Sequence, residues 1–183
     1  LLSNFKYGDA EKFKLTDAVL TSLNPRLIHG KISGFGQNSD RVAYDLILQA
    51  ERGFMSMNGS ETSDPTKMPV ALIDILAAHH LKEGILVALL ERTRTGKGKN
   101  VSISLYEAAI ASLVNQATNY LMGGQIAKRQ GSLHPNIAPY GEIFKTKDNQ
   151  LITFAIGSDT HFVKLCNYLN LSDFTKDARF NMN

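Results

Sequence analysis

Residues 67–105 read KMPVALIDILAAHHLKEGILVALLERTRTGKGKNVSISL. The first part is an apolar stretch far longer than a strand, and its spacing predicts a helix over about residues 71–94. Gly96 is a natural residue to end it, since glycine takes the left-handed conformation that follows many helices. After the Thr-Gly-Lys-Gly turn the pattern changes period. Val101, Ile103 and Leu105 alternate with polar residues, which predicts a strand. A long helix feeding a strand through a short turn is one step of an α/β layer fold. One acid, Asp74, interrupts the apolar run between Ile73 and Ile75. Burying a carboxylate costs several kcal/mol unless something offsets it, so Asp74 needs a reason.

Working outward from this segment, the same alternation of element types continues. Residues 1–5 read as the end of a strand. A turn at Gly8 leads into a charged helical segment, and LTDAVLTSLNP is a helix with Thr16 as cap and Pro25 as stop. RLIHGKISGFG is a strand entering a glycine-containing turn. YDLILQAERGFMSMNG has helical spacing, and SETSDPTKMP is a polar loop. Beyond the strand at 100–105, YEAAIASLVNQATNYLMGG reads as a second long helix ended by two glycines. QIAKRQGSLHPNIAPYG is a loop, EIFKTKDNQLITFAIG a hairpin, and SDTHFVKLCNYLNL an amphipathic helix with Phe162, Leu165, Cys166 and Leu169 inward. There is no internal repeat.

The 183 residues are 43% hydrophobic and 20% charged, which suits a packed core in one domain or parts of two. Asp74, His79, His80, Lys82 and Glu83 break the apolar run too often for a membrane span, so a buried helix is expected. A formal net charge of +3, without a Lys/Arg block interleaved with aromatics, gives no nucleic-acid signature. Cys166 is the single cysteine, which excludes an intrachain disulfide and fits a reducing compartment. The chain starts Leu-Leu-Ser-Asn and ends Phe-Asn-Met-Asn, and both ends read as cuts through a longer chain.

Spacing leaves two readings of Asp74 open. It shares a helix face with Val70, Ala77, Ala78, Leu81 and Ile85, where small neighbours allow a second body to approach. It also lies in the first turn, where the dipole and free N–H groups favour an anion. It is either a helix-start acid bonded to backbone amides or an ionised carboxylate at a cleft, acting as nucleophile or base. SGFGQNSDR places glycines after a strand, a weak phosphate-loop signal against the plain reading of a tight turn. TRTGKGK lacks the first glycine of a Walker pattern, and Lys99 precedes Asn100 rather than Ser or Thr, so its lysines are read as cations at a helix end. The five histidines show no zinc spacing, and no metal site is expected. No elbow motif supports a Ser-His-Asp nucleophile.

Several stretches taken in order resemble one family. They are SNFKYGDAEKF, LNPRLIHGKISGFGQ, AYDLILQAERGFMSMNG, ALIDILAAHHLKEGILVALLERTRTGKGKNVSISLYEA, NQATNYL, HPNIAPYGEIFKTKDNQLITFAIGSD and DARF. Together they resemble the family III coenzyme A transferases, the CaiB/BaiF family of formyl-CoA and carnitine-CoA transferases that also contains acyl-CoA racemases. The resemblance covers essentially the whole chain, and family chains are about twice as long. It implies part of a Rossmann-like large domain over 1–105, a helical linker over 106–130 and the start of a smaller α/β domain over 131–183. An interlocked homodimer and a cytoplasmic or organelle-matrix location are also implied.

By the same resemblance Asp74 is the catalytic carboxylate, transferring CoA from an acyl-CoA to a carboxylic acid acceptor through a covalent intermediate. Asn4, Phe5, Lys6, Lys12, Arg41, Val42, Ala43, Tyr44 and Asp45 match segments that line the CoA nucleotide. Each of Lys6, Lys12 and Arg41 taken alone reads as ordinary surface charge. QGSLHPN matches a loop near the acyl intermediate. No cofactor beyond CoA as substrate, and no nucleic-acid or membrane partner, is implied. Two alternatives stay in view, an acyl-CoA racemase on the same fold and a fragment serving only as binding or dimer scaffold. Racemases of the family carry histidine where this chain has Tyr44, and a tyrosine phenol, titrating near 10, is a poor base at neutral pH.

Overall fold

The computed structural model describes residues 1–137 and 140–180. Ala138 and Pro139 of the loop expected before the hairpin, and the last three residues, lie outside the described residues. The chain forms two compact units, residues 1–59 with 63–128, and residues 60–62 with 129–183.

The first unit is built on a three-stranded parallel sheet in the order β1 (Leu2–Ser3), β2 (His29–Ser33), β3 (Asn100–Ser104). Between β1 and β2 lie α1 (Asp9–Lys12) and α2 (Asp17–Leu23), the latter capped by Thr16, whose hydroxyl accepts the Val19 N–H. Register places Leu2, Gly30 and Val101 in one row and Ser3, Lys31 and Ser102 in the next. Because side chains alternate across a sheet, one face is apolar and the other carries polar residues.

The apolar face receives α5 (Leu72–Thr95), a helix of 24 residues ended by Gly96 at φ 72. Ile73, Ala77, Leu81 and Ala88 form its buried stripe. Close approach depends on glycine. A Cβ at Gly84 would stand 2.6 Å from Val101 Cγ1, and one at Gly30 would stand 2.8 Å from Ile85 Cδ1. Those contacts lie at the starts of β2 and β3. Ile73 and Ala77 instead share a core cluster with Leu48, Phe54, Leu105, Ala108 and Ala109, flanked by Ile32, Phe35 and Ile103. The helix therefore runs antiparallel to the strands, and its first turn lies at their carboxyl ends. Ligands of open α/β sheets bind at that edge.

Several expectations change. The segment after Tyr44 is two helices, α3 (Asp45–Glu51) and α4 (Phe54–Met57), separated at Gly53 with φ 86. The strand at 100 ends at Ser104, because Ser104 and Glu107 form a reciprocal capping box that starts α6 at Leu105. The helix expected to run on to the glycine pair is broken into α6 (Leu105–Ala111) and α7 (Val114–Gly123), with Val114 at φ 46. Nor is α5 buried all round: Ile75, Leu86, Val87 and Leu90 are exposed.

In the second unit β4 (Tyr140–Lys145) and β5 (Leu151–Ala155) form the expected antiparallel hairpin. The helix α8 (Asp159–Tyr168) is capped by Ser158. Cys166 is buried, whereas Leu169 ends the helix and is exposed. His134 packs edge-on against Tyr140, its N–H donating to the Tyr140 carbonyl.

Candidate active site

The first turn of α5 has no cap of its own: Ala71 stands at the cap position and offers no side-chain acceptor. The free amides are served from another helix. Asp45 Oδ2 accepts the Ile73 N–H at 2.6 Å and the Asp74 N–H at 3.4 Å. Asp45 Oδ1 accepts from Gln49 Nε2 at 2.5 Å. The buried Gln49 carboxamide also donates to the Val70 carbonyl and accepts the Met68 N–H, which fastens the approach to α5.

Of the two readings of Asp74, the helix-start acid bonded to amides therefore describes Asp45. The Asp74 carboxylate projects beside it and is exposed, so the expected apolar burial of this group is absent. Partial loss of hydration still raises its pKa, and the like charge of Asp45 raises it further. A carboxylate disfavoured as an anion and free of a strong hydrogen-bond donor is a better nucleophile than one bonded to amides.

The other candidate residues fall into two groups. At the exit of β1, Asn4 and Lys6 are exposed, and Phe5 packs on Phe13 with ring centroids 5.7 Å apart. Lys12 lies with Nζ 5.5 Å from the Phe13 ring centroid. The Lys6 N–H donates to Asp9, so this exit turns tightly into α1. At the exit of β2, the Arg41 guanidinium stacks 3.8 Å from the Phe35 ring centroid and pairs with Glu51 at 2.5 Å. Its outer face stays open, the side chain being 54% exposed. Val42 and Tyr44 are each 67% exposed. Ala43 is held against the turn, where a Cβ on Gly34 would come within 2.2 Å of its own Cβ. The structure thus brings Asp45 to Asp74, and sets the two groups at the exits of neighbouring strands.

Residues 1–183 match the CoA-transferase family III throughout. The chain belongs to CoA-transferase family III. Among curated family III relatives, it is 38% identical to the succinate–glutarate CoA-transferase of Agrobacterium fabrum, with all of this chain and 46% of that protein covered. It is 35% identical to the succinyl-CoA:glutarate CoA-transferase of Mus musculus, again over all of this chain and 42% of that protein. The chain spans about half the length of these relatives. Its fold is similar to the crystal structure of a CaiB/BaiF family protein from Brucella suis, with a TM-score of 0.77, 37% identity, and coverage of 100% of this chain and 48% of that one. The chain is thus a mixed α/β fold, as the alternation of elements predicted, and the sheet of its first unit is parallel. Among the described residues no group of His, Cys, Asp or Glu is arranged to hold a metal ion, and no helix is long and apolar enough to cross a membrane.

Sequence reading missed Gln49 as the partner of Asp45 and Glu51 as the partner of Arg41. Only the four-residue spacing of Asp45 and Gln49 within one helix was a usable signal.

Proposed function

We propose that the protein to which this chain belongs transfers CoA from an acyl-CoA thioester to a carboxylic acid, with Asp74 as nucleophile. The observation that carries this is the pairing of Asp45 with the α5 amides, which leaves the Asp74 carboxylate unclaimed at the ligand-binding edge of the sheet. Family membership supplies the reaction class. A carboxylate oxygen of Asp74 attacks the thioester carbonyl, the C–S bond breaks, and a mixed anhydride and CoA thiolate result. The thiolate attacks the aspartyl carbonyl and releases the donor acid. The acceptor carboxylate then attacks the aspartyl thioester, and the returning thiolate takes the acceptor's acyl group and frees Asp74. Each step exchanges one acyl bond for another and consumes no cofactor.

In this reading Asn4, Phe5, Lys6, Lys12 and Arg41 to Asp45 line the CoA nucleotide. The open face of Arg41 and the exposed ammonium groups of Lys6 and Lys12 suit its phosphates and adenine. The relatives named above act with succinate and glutarate, which makes a short dicarboxylic acid the first acceptor to try. The exposed apolar residues of α5 fit a surface covered in the whole protein, as an interlocked homodimer in the cytoplasm or an organelle matrix requires. The 1–105, 106–130 and 131–183 divisions belong to the same proposal.

The test is to trap the full-length protein with donor acyl-CoA, digest it and read the peptide masses. An acyl or CoA adduct on Asp74 is expected. An unmodified Asp74 peptide during active turnover would sink the mechanism. Racemisation is separated by deuterium uptake at the alpha carbon of a 2-methylacyl-CoA without an acceptor acid.

A further inference from the structure

The sheet face opposite α5 carries a continuous polar chain that the proposed chemistry does not use. Ser3, Lys31 and Ser102 stand in one row across all three strands. His29, 1% exposed, lies two residues before Lys31 on the same face. Its Nδ1 is 3.2 Å from Asp17 Oδ1 and its Nε2 is 2.8 Å from Ser3 Oγ. Lys31 Nζ donates to Asp17 Oδ2 at 2.5 Å and to Gln37 Oε1 at 3.4 Å. Gln37 Nε2 in turn donates to Ser102 Oγ.

A carboxylate only accepts, so Nδ1 of His29 carries the proton and Nε2 accepts from the Ser3 hydroxyl. Burial favours the neutral ring that this tautomer requires. Ser3, His29 and Asp17 have the order of a hydrolytic triad. The second Asp17 oxygen, however, is neutralised by Lys31, and His29 is closed to solvent, so the chain is a clamp and not a nucleophile. Apolar residues would fill this face at lower desolvation cost. A fully bonded polar chain instead specifies one arrangement of the strands it joins.

Its two ends lie at the strand exits. Ser3 directly precedes Asn4, Phe5 and Lys6, and Gln37 closes the turn that leads to Arg41–Asp45. We propose that the Ser3–His29–Asp17–Lys31–Gln37–Ser102 chain is a positioning device that holds both exits in the geometry that receives the nucleotide half of CoA. Its members set the affinity for CoA and its thioesters and leave the bond-making at Asp74 alone. This inference rests on the CoA-transferase reading above.

The experiment uses the full-length protein and measures the Kd of free CoA, KM and kcat with acyl-CoA, and Tm. Lys31→Met keeps the stem and removes the ammonium, and Ser3→Ala removes a single hydroxyl. Losing a charge-assisted bond is worth roughly tenfold, so Lys31→Met should raise Kd and KM together by about that factor, with kcat within about twofold. Lys31→Arg should restore most of the affinity. Variants that lose Tm but keep Kd and KM would overturn the inference, as would loss confined to kcat. Absence of CoA binding by the unaltered protein would overturn the functional reading itself, and this inference with it. Normal CoA binding by both the unaltered protein and Lys31→Met overturns this inference alone.

Discussion

Asp45 Oδ2 accepts the backbone N–H of Asp74, and of Ile73 before it, so one acid occupies the helix start that would otherwise hold the other. The two carboxylates are thereby kept near each other in unlike roles. Asp45 is bonded to two amides and to Gln49, and Asp74 is left with its pKa raised by lost hydration and by Asp45.

Asp45→Asn should separate these effects. The amide keeps an oxygen acceptor for α5 and removes the like charge. With that charge gone the Asp74 pKa falls, although the larger cause, lost hydration, remains. The acid limb of kcat/KM therefore moves to lower pH in the full-length variant. Asp45→Ala also removes the acceptor and should cost about 1–2 kcal/mol of stability, as lost helix caps do. Urea titration beside the pH–rate profile checks both, and an acid limb moving upward in Asp45→Asn would contradict the electrostatic account.

Asp74→Asn should abolish turnover, since an amide cannot form the anhydride. Its stability should change in the other sense. A carboxyl whose pKa is raised by folding is more readily protonated in the folded state, so its contribution is present below the ordinary value of 3.8 and is lost as pH rises through the raised one. The Tm of Asp74→Asn relative to the unaltered protein should therefore increase as pH rises from below 3.8 through the raised value. A flat difference across that window would show that the site carries no such strain.

His29 gives the opposite slope. Burial lowers its pKa from 6.5, a shift that its bond to Asp17 offsets only in part. The unfolded chain then binds the proton first on acidification. The stability contributed by the neutral ring is complete above 6.5 and is lost as pH falls toward the lowered folded value. Equilibrium unfolding at stepped pH should show this decline, and His29→Asn should flatten it.

How far the sequence carried the fold follows from these residues. The strands at 29–33 and 100–104, the extent of α5 and its end at Gly96 were legible because period and glycine act locally. Thr16 was legible as a cap for the same reason. The cap of α5 was not: Asp45 lies 28 residues before Ile73, and no spacing rule connects them. The burial of Asp74 was misjudged because an apolar run shows how hydrophobic a helix is and not how many sides are covered. The break between α6 and α7 was missed for a similar reason, since the apolar pattern continues across Val114 with no breaker residue. The polar chain through His29 was invisible because its members come from three strands, a helix and a turn.

The Thr-Gly-Lys-Gly turn yields the last prediction, in which two nearby glycines should behave differently. Gly96 is held at φ 72, and a Cβ there meets only Arg26 Nη1 at 3.6 Å. Gly96→Ala should cost about 1 kcal/mol, the penalty of a left-handed conformation. Gly98 has no such conformation, but a Cβ there would stand 1.8 Å from the Leu27 carbonyl oxygen and 2.6 Å from the Arg26 carbonyl carbon. Both are backbone atoms, so no side chain can rotate aside. The Gly98 N–H also donates to the Pro25 carbonyl at 2.7 Å, and the next residue, Lys99, accepts the His29 N–H. Room for Cβ must come from parting the segment before β2 from the one before β3, which loosens the register of both strands. Gly98→Ala should therefore cost about 3 kcal/mol or more, at the upper end of overpacking penalties. Urea unfolding of the two variants decides it. If Gly98→Ala is no less stable than Gly96→Ala, Gly98 is not there for close chain approach, and a ligand role for this turn reopens.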